Sequence, residues 1–121
     1  MKFKLSQTES IDLVYSFRSA IYFEQITNKN IDFQNFTGND LITLFYCVVI
    51  ASLQKVKRPI ITMLDFMDKI DDYNRGDKCL LEFSNWYVEI IKAQYETLDS
   101  TVNEEKKPIG PQTETSKKKK A

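Results

Sequence analysis

Asp40-Leu41-Ile42-Thr43-Leu44-Phe45-Tyr46-Cys47-Val48-Val49-Ile50-Ala51-Ser52-Leu53-Gln54-Lys55 decides the fold class. Read as a helix, this stretch is apolar nearly all round. Leu41, Leu44, Phe45, Val48 and Ser52 fall on one stripe, while Ile42, Tyr46, Val49 and Leu53 fall on another. Such a helix needs neighbours on most sides, so it is the central helix of a core or part of an interface. The uncharged run from Leu41 to Gln54 is shorter than the roughly 18 residues a membrane span requires, so no membrane partner is expected. Thr37 or Asn39 can cap it, Asp40 suits the positive end of its dipole, and Arg58-Pro59 closes it because the residue before proline disfavours helix.

Working outward toward the N-terminus, Phe17 to Thr27 has helical spacing, with Ala20, Phe23 and Ile26 inward and Arg18 and Gln25 opposite. Asn28 to Asn30 ends it. A polar link over 30–39 carries Phe33 and Phe36, which are expected to pin the connection onto the core. Before this helix, Lys2 to Leu5 and Ile11 to Tyr15 are short β-favouring runs that suggest a small strand pair.

Toward the C-terminus, Thr62 and Asp65 have capping-box spacing ahead of Met63, Phe66, Met67 and Ile70, with acids on the opposite face. A last helix, Asp77 to about Leu98, sets Leu80, Phe83, Tyr87, Ile90 and Ile91 against Glu82, Asn85, Glu89, Lys92 and Glu96. Gly76 is read as the stop of one helix and Asp77 as the cap of the next. From Asp99 apolar residues nearly vanish, and Pro108, Gly110 and Pro111 precede the run Lys117 to Lys120. The expected architecture is mainly α: a compact bundle of about four helices over 1–98, a short N-terminal β-hairpin, and a disordered Lys-rich tail over 99–121.

Composition narrows the function classes. The 121 residues suit one domain, with enough hydrophobic content (42%) for a modest core. There is no histidine, which removes the commonest general base near neutral pH and the commonest metal ligand. Cys47 and Cys79 lack C-x-x-C spacing and read as small core residues of a reducing compartment. Met1 to Ser10 has lysines but no apolar run of signal-peptide length, so secretion is not expected. Net charge is zero, yet the tail from Asn103 holds six lysines against three glutamates. The remainder therefore has eleven Lys and Arg against fourteen Asp and Glu, which argues against a nucleic-acid partner.

Several short motifs match the spacing of known sites in part. Asp71, Gly76 and Glu82 match the first, sixth and twelfth positions of a calcium loop, but Tyr73 and Arg75 stand where oxygen ligands belong, so a helix-to-helix turn is preferred. Arg75-Gly76-Asp77 and the glycosylation triplet Asn35-Phe36-Thr37 have meaning only outside the cell. Asp65, Asp68, Asp71 and Asp72 fit a solvated helix face better than paired-carboxylate catalysis. No base, nucleophile and orienting group come together, and three glycines leave no phosphate loop. No catalytic residue, cofactor or metal is therefore expected. The lysines of the tail could touch phosphate weakly, but solubilisation explains them as well.

The fifteen aromatics exceed what so small a core easily encloses, so some should face a partner. Trp86, beside the polar stripe of the last helix, and Tyr22, off the main stripe of the first, are the leading interface candidates.

Three segments together resemble a known family. They are Tyr15-Ser16-Phe17-Arg18-Ser19-Ala20-Ile21-Tyr22-Phe23-Glu24-Gln25-Ile26-Thr27, then Asp40-Leu41-Ile42-Thr43-Leu44-Phe45-Tyr46, then Thr62-Met63-Leu64-Asp65-Phe66-Met67-Asp68. Their order and spacing over residues 11 to 98 resemble the tail assembly chaperones of long-tailed bacteriophages. The resemblance implies a protein that acts in the host cytoplasm and is absent from the finished virion. It would bind the tape measure protein, keep that long helical chain soluble and bring tail tube subunits to it, with self-association as a further option. It also implies a longer form made by ribosomal frameshifting, for which the A-rich codons of Lys117 to Lys120 would suit a slippery site. The residues it carries over are Phe17, Arg18, Phe23, Glu24, Asp40, Leu44, Thr62, Asp65 and Phe66. Phe23 and Phe66 read as core anchors and Asp40 and Asp65 as helix-start acids. The candidate partner-binding set is thus Phe17, Arg18, Tyr22, Glu24 and Trp86.

A competing reading is a small helix-turn-helix DNA-binding regulator formed by the last two helices around Gly76. The acids Asp65, Asp68, Glu82 and Glu89 on their faces count against it, since a recognition helix needs positive or amide groups toward DNA. A metal-dependent enzyme built on the aspartates lacks a matching ligand set.

Overall fold

The chain forms β1 (Lys2–Lys4), β2 (Ser10–Asp12), α1 (Phe17–Thr27), a 3-10 turn at Phe33–Asn35, α2 (Gly38–Lys55), α3 (Met63–Tyr73) and α4 (Asp77–Ile109). The computed structural model describes the backbone of residues 1–109 and the side chains of residues 1–94 other than Phe33. The mainly helical class, its four helices and the N-terminal antiparallel hairpin agree with the sequence reading. The chain divides into two units, Met1–Tyr87 and a second that begins at Val88.

β1 and β2 pair in the register Lys2↔Asp12, Phe3↔Ile11 and Lys4↔Ser10. Alternation puts Phe3 and Ile11 inward, while Lys2 Nζ meets Asp12 Oδ1 outside at 2.8 Å. The turn is held by the Leu5 N–H donating to Glu9 O at 2.8 Å and by Ser6 Oγ accepting from the Thr8 and Glu9 N–H groups. The second strand stops at Asp12 rather than reaching Tyr15, and the reason is a change of partner. Leu13 still donates to Met1 O, but the Val14 N–H and C=O bond the buried Ser52 hydroxyl of α2 at 3.0 and 3.4 Å.

The helix starts follow their capping residues. Ser16 with Ser19 and Thr37 with Asp40 form reciprocal capping boxes on α1 and α2. Thr62 accepts from the Asp65 N–H at 3.1 Å, while the Asp65 carboxylate lies 3.8 Å from Lys69 Nζ. Asp77 is already the first residue of α4 rather than the cap ahead of it, because Gly76 takes a positive φ (57°) and turns the chain directly into the helix. At the far end of α2, Lys57 N–H donates to Gln54 O (3.0 Å) and Arg58 N–H to Leu53 O (2.9 Å). This is a Schellman motif with Lys57 at the left-handed position (φ 62°).

α2 is buried without a break from Cys47 to Leu53, as its two-sided apolar pattern requires. Four elements of the first unit each send one fully buried phenylalanine to the core: Phe3 of β1, Phe45 of α2, Phe66 of α3 and Phe83 of α4. Phe45 is at the centre, 5.6 Å from Phe3 and 5.2 Å from Phe66 edge-on, and 4.3 Å from Phe83 with rings nearly parallel. Phe23 of α1, also fully buried, stacks on Phe36, which pins the 28–37 connection as expected; the Phe33 side chain lies outside the described residues. Lys69 Nζ on Leu5 O (3.0 Å) and Asn74 on Lys4 fasten α3 to the hairpin.

The helical stripes differ from expectation at their edges. Inside α1, Ser19 joins Phe23 and Ile26 is 50% exposed. On α3, Phe66 and Ile70 are buried but Met67 is 43% exposed, and on α4 the buried line is Cys79, Phe83, Tyr87, with Leu80, Ile90 and Ile91 only partly covered. A spacing of four residues, not three, governs each of these faces, which shifts the inner stripe by one position. α4 also continues past Leu98 to Ile109. Losing the apolar stripe ends amphipathicity, but Glu104, Glu105, Lys106 and Lys107 are good helix formers. The part of the expected tail at 110–121, with its lysine run, lies outside the described residues.

Candidate partner-binding groove

The hairpin's exit strand and the capping box at Ser16 fix where α1 begins, and α1 then packs along α2. Ser52 holds the Val14 backbone from below, so the segment 14–18 is anchored over the C-terminal half of α2. Between them lies a groove of about 510 Å³, floored by Ala51 and Ser52 and flanked by Val14, Phe17, Arg18 and Lys55. Phe17, the first residue of α1, is 82% exposed, and Val14 is 38% exposed. A phenyl ring in water forgoes about 1.5–3 kcal/mol of burial.

Gln54 organises the polar side. Its Oε1 accepts from the Tyr22 hydroxyl and, at 3.5 Å, from Arg18 Nη1. Three of the candidate residues therefore come together: Phe17 and Arg18 line the groove, and half-buried Tyr22 is tied to the same glutamine. Glu24 is exposed on α1 two turns beyond Phe17 and does not line the groove. Trp86 is half-buried on α4, its ring 5.7 Å from Phe83, and is not among the lining residues either. Sequence reasoning passed over Val14, Ser52, Gln54 and Lys55. The one available signal was Gln54, a polar side chain on a helix otherwise apolar nearly all round.

Two other hollows hold charged groups most of which are already matched. One of about 330 Å³ contains Asp40, whose carboxylate accepts from Lys29 Nζ (2.9 Å) and the Thr37 N–H (3.1 Å), contacts that hold its pKa below the usual carboxylate value. Another of about 390 Å³ contains Lys2 and Arg75, which pair with Asp12 and Glu82. The calcium-loop spacing does not produce a loop: Asp71 lies within α3, Glu82 within α4, and only Asn74, Arg75 and Gly76 link the helices. Among the described residues no group of three or more Cys, Asp or Glu could hold a metal ion, and no helix is long and apolar enough to cross a membrane. The four aspartates of α3 lie on or beside its exposed face.

The fold defines a small, mainly helical protein with an N-terminal hairpin and a groove of mixed polar and apolar lining beside α1. No protein-family model matches the chain, and no curated protein or solved structure matches it.

Proposed function

We propose that this chain binds a helical segment of another protein in the α1–α2 groove, and that it is a tail assembly chaperone of a long-tailed bacteriophage. In this reading it holds the tape measure protein soluble in the host cytoplasm, brings tail tube subunits to it, and leaves before the virion is complete. The observation that carries the binding reading is Phe17, 82% exposed beside the groove, with Val14 of the same groove 38% exposed. An exposed aromatic anchor next to a second apolar side chain suits the apolar face of an amphipathic helix.

The partner's identity comes from the resemblance. Its three segments fall on α1, on the first half of α2 and on the start of α3, in the family's order. The three-residue link between α3 and α4 has the length a helix-turn-helix uses, but Asp68, Glu82 and Glu89 are exposed there and would repel phosphates.

Co-expression with the tape measure protein of the same phage tests the proposal. The soluble fraction of that protein should rise with this chain and fall back with Phe17→Ser. Equal solubility with and without the chain would refute the chaperone mechanism.

A further inference from the structure

Resting on that reading of the groove, we infer that the partner helix is acidic: its apolar anchor lies against the exposed Phe17 ring, and carboxylates one turn away meet Arg18 and Lys55. The first support is the pairing of cations. Lys2, Lys29, Arg58, Lys69, Arg75 and Lys92 each face a carboxylate. Arg18 touches the neutral amide oxygen of Gln54, and Arg18 and Lys55, like Lys4, Lys57 and Lys78, face no carboxylate among the described residues; they are the two that line the groove beside the exposed Phe17 ring. A guanidinium carries five N–H donors in a fixed fork, so most of the Arg18 donors remain for a bidentate carboxylate.

The second support is the helix end. The first turn of α1 holds no acid to offset the positive end of its dipole at Phe17 and Arg18, while Lys55 stands at the negative end of α2 across the groove. The nearest acid on α1, Glu24, is seven residues from Phe17, about 10 Å along the axis and near the screening length at physiological salt. The groove is therefore a cationic patch on a chain whose first 102 residues carry more acids than bases. Such a surface attracts carboxylates and discourages a basic segment from the rest of the protein.

The third support is shape. Phe17 and Val14 are 82% and 38% exposed, which leaves apolar surface for a helix to cover, and on that helix residues three or four positions from the anchor lie about 5–6 Å away. That spacing places an acid near Arg18 or Lys55 when the anchor is against Phe17.

Fluorescence anisotropy tests the inference with two peptides of roughly 18 residues, long enough to hold a helix. They share one Leu/Ala stripe and differ only in flanking residues, Glu in one and Lys in the other. The Glu peptide should bind at least about tenfold more tightly at low salt, with the preference shrinking as salt rises. Arg18→Glu combined with Lys55→Glu should reverse the preference, and Phe17→Ser should weaken both peptides. Equal affinity, tighter binding of the Lys peptide, or no binding of either overturns the inference.

The tape measure co-expression assay separates the two readings. If Phe17→Ser loses solubilisation while the double charge variant keeps it, the helix-binding reading stands and the acidic partner is overturned. If Phe17→Ser keeps it, the groove itself is the wrong surface. All three side chains are exposed, so thermal melts should show each variant folded.

Discussion

Asn74 uses its side-chain amide as if it were a strand: Oδ1 accepts from the Lys4 N–H at 2.9 Å and Nδ2 donates to the Lys4 C=O at 2.9 Å. The same Nδ2 also reaches Lys69 O at 2.9 Å, so a buried residue at the end of α3 completes both the open edge of β1 and its own helix. Asn74→Leu would strand two backbone groups of Lys4 in a part-buried site. The expected loss is about 2–4 kcal/mol, read from urea unfolding, together with faster hydrogen exchange at the Lys4 amide. Unchanged exchange at Lys4 would contradict this account.

Phe45 touches the phenylalanines of three other elements, so its removal opens a cavity that none of them can fill alone. Phe45→Ala should cost about 3–5 kcal/mol, a large share of the stability of a domain of this size. Phe17→Ala, on an exposed ring, should shift the same melt by about 0.5 kcal/mol or less.

Lys57 holds a left-handed backbone at the end of α2, a conformation that disfavours a residue with a Cβ. Lys57→Gly keeps both Schellman hydrogen bonds and relieves the strain. A gain of about 0.5–1 kcal/mol in thermal or chemical unfolding is expected, after the extra freedom that glycine gives the unfolded chain.

Burial raises the Cys47 thiol to about 12 and the Cys79 thiol to about 11, from an ordinary value near 9. Both should resist alkylation in the native protein at mildly alkaline pH and react once denaturant is added. The unfolded thiols ionise first, so the unfolded state binds fewer protons above that pH. The stability they contribute is thus fully present below pH 9 and is lost as pH climbs through 11 and 12. Replacing Cys47 with Ala should flatten that alkaline fall in a pH series of melts.

At the acid end, Lys29 and the Thr37 N–H hold the Asp40 carboxylate below its usual pKa of 3.8. The unfolded carboxylate takes up its proton first as pH falls, so this contribution is present above pH 4 and disappears below it. Asp40→Asn should make the acid limb of the stability curve shallower.

How much of this was legible in the sequence depends on the kind of information. Two-sided apolarity from Leu41 to Leu53, the candidate caps Thr37 and Asn39, and the Thr62 and Asp65 spacing are local, so α2 and α3 could be placed from neighbouring residues alone. Ile26 and Met67 misled because helical spacing allows either three or four residues to the next inward position, and only the packed neighbour decides between them. Phe17 and Arg18, carried by the resemblance, line the groove, and Tyr22, off the main stripe of α1, bonds its Gln54. Gln54, Lys55 and Val14 depend on where α1 crosses α2, which no local pattern encodes. The link of Lys4 to Asn74 was wholly silent, since nothing in either residue announces the other.

That last link bears on how the chain is made. The hairpin leaves the ribosome before α3, and the residue that closes the edge of β1 lies 70 positions later. At the usual speed of synthesis, roughly 5–20 residues per second, the strand waits several seconds with its edge open. An unclosed edge invites pairing with other nascent chains, and Lys2 and Lys4, whose side chains alternate with the inward Phe3, put charge where such pairing would start. The two lysines guard the strand until Asn74 arrives.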